Sequence, residues 1–451
     1  MSKLGEGIVT ESDSYRNDLE TRIADQVEYI IRAFGDEGIE IGVVTDNRGI
    51  GYLYAEGQLL VLDQYLDRVR QILQPSDESN LERDDPDRVE PVIAGVVLLR
   101  LSEKQPTVPV ALDEIDRRLG SGIATPNHVL TVAGEVDSCP ATEPQEVYAG
   151  IEPYPSVCPG GGGAGVLIYI ADTGLLADAD SSHSWLAGVE ARDLDPLPPE
   201  IPPGTQPIPP YTGHGTFVAG VARCMAPGAD VIVANAFAIA GSTLESHLTR
   251  HLDAALGHGV DIFHLSIAAP TRKDLRPIGL AAWLKRMRQY KGVVCVVAAG
   301  NSGSRRQSWP AAFPEVVSVG ALAGDWRSRA KFTNFGGWVD VYAPGRDLVN
   351  AYATGTYTCY VEPYKEKERE FYGMAKWSGT SFSTPVVTGL IAARMSRTGE
   401  NGQEAAAALL AEAHSQAIPG VGAILLPGCD NDAPTNPARC CPTNQHRPCG
   451  C

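Results

Sequence analysis

Apolar residues Leu19, Ile23, Val27, Ile30 and Ile31 recur at the spacing of one helix face and predict a helix over residues 18–34. Short apolar runs then predict strands at residues 39–44 and 51–55, a helix over residues 61–73 and an acidic, Pro-containing loop over residues 75–86. The run from Pro91 to Arg100 predicts one strand, residues 110–119 a helix and residues 128–133 a closing strand. Residues 1–135 therefore read as a small α/β unit. Over residues 136–164 the pattern gives way to Pro, Gly and Glu, ending in Pro159-Gly-Gly-Gly-Gly-Ala164, a linker by composition. A strand follows these glycines where a phosphate loop would lead into a helix, which disfavours phosphate binding.

From residue 165 apolar strand-like runs alternate with helical segments: 165–171, 216–224, 230–236, 244–256, 260–265, 280–290 and 292–298. Such alternation predicts an α/β domain with a mainly parallel sheet flanked by helices. The Pro-rich stretch 195–210 breaks the pattern and is expected to be an inert surface insertion rather than a partner ligand. An Ala/Leu-rich helix over residues 402–417 closes the domain, taken as residues 165–420, and residues 421–451 form a Cys-rich tail.

Composition narrows the function classes. The chain has 451 residues, a length for two or three domains, and its net charge of −18 argues against a general binder of nucleic acid or anionic membranes. No apolar run approaches the ~20 residues of a membrane span. The opening MSKLGEGIVTESDSYRND has no apolar core of a secretory signal, so a cytoplasmic location is expected, with secretion the alternative had a leader been removed.

The ten cysteines fall into two groups. Cys224 and Cys295 sit in apolar stretches and read as buried small hydrophobes, while Cys139, Cys158 and Cys359 are scattered. Cys429, Cys440, Cys441, Cys449 and Cys451 crowd the tail with His446, where thiolates and an imidazole could hold zinc. Their spacing lacks a paired C-x-x-C. Five is also an odd number for a local disulfide set, which would need a partner such as Cys359 or leave a free thiol. A reduced tail without metal is the third reading.

Three loci at strand–helix transitions carry chemistry. Asp172 follows an apolar strand in Ile168-Tyr-Ile-Ala-Asp172-Thr-Gly174, His214 lies between glycines in Thr212-Gly-His214-Gly-Thr216, and Ser381 sits in the turn Ser378-Gly-Thr-Ser381 before a helix over residues 385–395. A serine hydroxyl needs an imidazole to take its proton, and the imidazole needs a carboxylate to fix its tautomer. Asn301, after a buried strand, could donate its amide to a developing oxyanion beside the backbone N–H of Ser381. Taken singly, Ser381 reads as a helix cap and the other three as turn or cap residues; their weight lies in joint occurrence.

Together these motifs resemble those of subtilisin-like serine peptidases, the subtilases. Asp172-Thr-Gly174, His214-Gly-Thr-Phe-Val-Ala-Gly220, Ala299-Gly300-Asn301 and Gly379-Thr-Ser381-Phe-Ser-Thr-Pro385 meet the family patterns in order. The likeness runs over about residues 165–400 and takes in residues 309–314, 319–321, 332–336 and 339–345. It implies a subtilisin-like fold in which Asp172 orients His214, His214 is general base and then acid, Ser381 attacks and Asn301 completes the oxyanion hole. It also implies a substrate-binding edge at Ser266, Ile267 and Ala268, with Ala299 and Gly300 beside it. Family members often carry glycine where Ala268 stands, so its methyl is expected to narrow the primary specificity pocket.

The resemblance implies a serine endopeptidase acting on peptides or proteins, with no metal in the chemistry and with structural calcium common in the family. Residues 1–135 would then be a pro-domain-like inhibitor whose last segment enters the cleft, or else a permanent docking domain. The expected role is limited proteolysis inside the cell or maturation of a peptide. A transpeptidase or macrocyclase on the same scaffold, where an amine intercepts the acyl-enzyme, and a latent binding protein are the alternatives.

Overall fold

The computed structural model describes residues 11–46, 49–73, 88–132, 141–148, 150–197, 206–361 and 363–428, apart from the side chains of residues 11–23. The N-terminal unit runs α1 (Glu11–Asp36), β1 (Ile41–Asp46), β2 (Gly49–Leu62), α2 (Leu66–Leu73), β3 (Val89–Ile93), β4 (Val96–Arg100), α3 (Val108–Leu119) and β5 (Ala124–Val132). Helix α1 buries Val27, Ile30 and Phe34 against Ile41, Leu53, Ala55 and Val129, the face its periodicity marked.

Two sequence expectations change here. Strand β2 runs on to Leu62, because Leu59, Leu60 and Val61 pair with Leu99, Leu98 and Val97 of β4, and the helix expected from residue 61 begins only at Leu66. The single strand expected over residues 91–100 is a hairpin, with Gly95 at φ 92 making the turn that an L side chain rarely adopts. Periodicity alone does not distinguish a long apolar strand from a folded pair.

The second unit begins with β6 (Leu167–Asp172), a four-residue helix α4 (Ala179–Ser182), β7 (Glu190–Ala191) and β8 (Pro207–Ile208). It continues with α5 (His214–Met225), β9 (Asp230–Asn235), β10 (Ser242–Leu244), α6 (Glu245–Ala255), β11 (Ile262–Leu265), β12 (Ile267–Ala268) and α7 (Ile278–Met287). Strands β13 (Val294–Ala298), β14 (Val317–Leu322), β15 (Val341–Pro344), β16 (Leu348–Thr358) and β17 (Glu368–Trp377) precede α8 (Thr380–Thr398) and α9 (Gly402–Ser415).

Seven strands form the central sheet in the order β15-β14-β13-β11-β6-β9-β7, every pair parallel. Their sequences are near-continuous apolar runs because both faces are covered. Phe217, Val221, Phe382 and Val386 of α5 and α8 pack on one face. Leu248, Leu252, Trp283 and Leu284 of α6 and α7 pack on the other.

Strand β5 joins the two units. Every residue of it is buried. One edge pairs with β2, and its last residues lie between β10 and β12: Leu130 opposes Thr243, Thr131 opposes Ser242 and Ala268, and Val132 opposes Ile267. Beyond it, the described part of residues 141–158 lies along the β16–β17 hairpin. Gln145 pairs with Lys376, Tyr154 with Val349, and the Trp377 indole donates to the Thr142 carbonyl at 2.6 Å.

Candidate active site

Asp172 ends β6 and His214 opens α5, so both stand at the carboxyl edge of the parallel sheet, where functional side chains emerge. Asp172 Oδ1 accepts from His214 Nδ1 at 2.7 Å and from the Thr173 N–H at 2.8 Å, with both side chains fully buried. A carboxylate only accepts, so Nδ1 carries the imidazole proton and Nε2 is the basic nitrogen. Trp377 meets the ring edge-on at 5.6 Å between centroids, and Phe382 lies at 5.3 Å.

The glycines around His214 are packing requirements. Gly213 has φ 80, and a Cβ there would sit 2.8 Å from the Tyr352 ring. Gly215 presses on the Gly174 carbonyl where no Cβ fits.

Ser381 is the second residue of α8, and its backbone N–H belongs to the first turn, where helix donors lack intrahelical acceptors and the dipole favours negative charge. Pro385 stands four residues on and has no N–H, so the Ser381 carbonyl has no helix partner. Ser266 supplies one, its hydroxyl donating to that carbonyl at 3.0 Å. Behind Ser266, His264 Nε2 lies 2.8 Å from its Oγ, and burial pushes the His264 imidazole down to about 3, so it stays neutral. His214 Nε2 and Ser381 Oγ are both buried without a hydrogen-bond partner among the described residues, so the bond between them is not formed in this state.

Asn301 is fully buried, and its Oδ1 accepts from the N–H and the hydroxyl of Thr380 at 2.8 and 3.0 Å. The carbonyl end is thereby tied to the residue before Ser381. Thr380 also accepts from the Gly300 N–H at 3.1 Å, and Asn334 holds the Ala299 carbonyl at 2.9 Å. Ile267 and Ala268 form an edge already occupied by β5. The Ala268 methyl would lie 3.3 Å from a Cβ placed on Gly300.

Sequence reading missed Asp195, assigned to an inert surface stretch. Its carboxylate is 7% exposed, and Oδ2 accepts from the Gly213 N–H at 2.7 Å and the Thr173 hydroxyl at 3.0 Å. Those donors need an acceptor to hold the loop before His214, and this draws the residue inside. Burial pushes the carboxyl up to about 7; the Gly213 and Thr173 bonds oppose that, and the neighbouring negative Asp172 adds to it. It also missed β10 as the second wall of the edge and Thr380 as the group that orients Asn301.

Among the described residues no three His, Cys, Asp or Glu side chains gather as a metal site. The zinc candidates Cys429, Cys440, Cys441, His446, Cys449 and Cys451 lie outside the described residues. No described helix is long and apolar enough to cross a membrane.

Comparison with known proteins agrees with the fold. A family model described as the subtilase family matches residues 163–424. A thermophilic serine proteinase from Bacillus sp. (strain AK1) is 31% identical over 254 residues, covering 54% of this chain and 55% of that protein. An intracellular serine protease of Paenibacillus polymyxa is 30% identical over 245 residues, covering 51% of this chain and 66% of that protein. The chain thus spans about half to two thirds of the length of these relatives. Fervidolysin from Fervidobacterium pennivorans, described as a keratinolytic enzyme related to subtilisin, superposes with a TM-score of 0.54 at 18% identity, over 84% of this chain and 60% of that one.

Proposed function

We propose, on the premise that this chain belongs to the subtilase family, that it is a serine endopeptidase with Ser381 as nucleophile. The observation that carries the reading is the buried Asp172–His214 pair at 2.7 Å, set beside the first turn of α8 that bears Ser381. His214 Nε2 takes the hydroxyl proton as Ser381 Oγ attacks the peptide carbonyl, and Asp172 stabilises the imidazolium. The oxyanion that develops is met by the Ser381 N–H and the Asn301 amide, groups already oriented before reaction. His214 then gives its proton to the leaving amine, and water resolves the acyl-enzyme.

In the same proposal the N-terminal unit is an intramolecular inhibitor. Strand β5 pairs with β10 and β12 as an added peptide strand would, with main-chain hydrogen bonds supplying affinity and alternate side chains supplying selectivity. An intracellular setting is supported by Cys224, Cys295 and Cys359, buried thiols that form no disulfide among the described residues, and by the Paenibacillus relative.

Intact mass after incubation with a fluorophosphonate tests the reading. The wild-type chain is expected to gain one adduct and Ser381→Ala none; equal labelling of both, or of neither after removal of the N-terminal unit, overturns it.

A further inference from the structure

Beside the catalytic Asp172 lies a cavity of about 190 Å³ that the mechanism does not use. Thr173, Asp195, Asn235, Tyr211, Phe237 and Gly241 line it, and Tyr29 of the N-terminal unit joins the lining from α1. Its polar groups are lopsided. Asp195 is more than nine-tenths buried and forms no ion pair with any described Lys, Arg or His. Asn235 turns its Nδ2 to the Leu194 carbonyl at 3.4 Å, and its buried Oδ1 has no partner among the described residues. A buried carboxyl with no cationic partner beside a partnerless amide oxygen is an acceptor pair that a cationic donor would satisfy, and such a donor would hold the carboxyl ionised.

The cavity also stands at a defined point of the substrate edge. The Val132 N–H donates to the carbonyl of Gly241, one of the lining residues, at 2.9 Å, and Val132 packs in the same cluster as Tyr211 and Phe237. A substrate held in the register of β5 places its next residue opposite Ser266, which bonds the Ser381 carbonyl. The residue in the place of Val132 is then the second before the scissile bond. Valine is short and carries no donor.

We infer that this cavity is a specificity pocket for the lysine or arginine side chain of a peptide substrate at that second position, and that Asp195 selects it. The inference rests on the endopeptidase reading. Tyr211 and Phe237 offer apolar surface for the methylene arm while the cationic head reaches Asp195 and Asn235. Tyr29 leaves with the N-terminal unit, so the pocket is fully open only once that unit is displaced.

Two measurements test it. Fluorogenic peptides Val-Leu-Thr-X-Ala-aminomethylcoumarin, with X lysine or norleucine, are assayed with active-site-titrated enzyme. Lysine is expected to exceed norleucine in kcat/KM by at least about tenfold, and Asp195→Asn to bring the ratio toward one. Equal rates, or a preference that survives Asp195→Asn, overturn the pocket. Independently of turnover, the full chain carrying Ser381→Ala is compared as Val132→Lys and Val132→Met. The lysine variant is expected to unfold at or above the temperature of the methionine one, an advantage lost when Asp195→Asn is added. A lysine penalty that is the same with Asp195 and with Asn at that position overturns the pocket, even if no peptide is cleaved and the peptidase reading itself fails.

Discussion

A single carboxylate shows how placement changes chemistry. Asp195 is expected to ionise near 3.8 in the unfolded chain, whereas burial lifts it to about 7 in the folded one. Between those values the folded protein holds a proton that the unfolded chain has released, so this residue's contribution to stability falls as pH rises through the window. Asp195→Asn keeps an acceptor for Gly213 and Thr173 without the buried charge. Denaturant midpoints are expected to show the variant gaining on wild type from pH 4 to pH 8, by on the order of 1–3 kcal/mol. A constant difference across that range would refute the raised pKa. Asp172, His214, Asn301 and Ser381 were all legible because each lies in a short glycine-bearing motif. Asp195 was not, since it opens a Pro-rich stretch and the groups that hold it, Thr173 and Gly213, are distant in sequence.

At the scale of the element, helix α8 contains its own defect and β11–β12 repairs it. Pro385 removes the N–H that would bond the Ser381 carbonyl, and the Ser266 hydroxyl replaces it. Ser266→Ala leaves that carbonyl buried without a donor and is expected to destabilise the chain by about 1–3 kcal/mol. Ser266→Ala combined with Pro385→Ala restores a helix N–H at the same carbonyl and is expected to recover part of the loss. Additive losses in a double-mutant cycle would show that the carbonyl is not what couples them. Periodicity located α1 and the central strands well. It placed the start of α2 early and merged β3 with β4, because the same apolar run serves a strand, a hairpin or a buried helix until its partners are known.

Across the whole molecule, the proposed gating of Ser381 by the N-terminal unit depends on how firmly that unit docks. Besides the β5 pairing, His128 Nδ1 meets Glu245 Oε2 at 2.9 Å with both side chains buried, Asn127 and Ser246 exchange two hydrogen bonds, and Arg272 reaches Asp113 and Asp116 of α3. His128→Phe changes only the N-terminal side and leaves Glu245 Oε2 buried without its imidazole partner, a costly state, while Oε1 keeps the Gly279 N–H. The full-length variant is expected to react with fluorophosphonate about tenfold faster or more than wild type. Unchanged labelling would mean that the unit does not gate the nucleophile.

The sequence by itself determined the fold class and the identities of the candidate triad and oxyanion donor, because sheet-edge turns and helix starts impose local glycine, proline and hydroxyl patterns that survive in short windows. Only the tertiary structure decided that β5 fills the edge between β10 and β12, that Asp195 faces a cavity, and that Ser266 and His264 support the helix that bears Ser381. Those relations join residues from distant parts of the chain, and the free energy that selects them comes from burial and from satisfying polar groups after the chain has closed on itself.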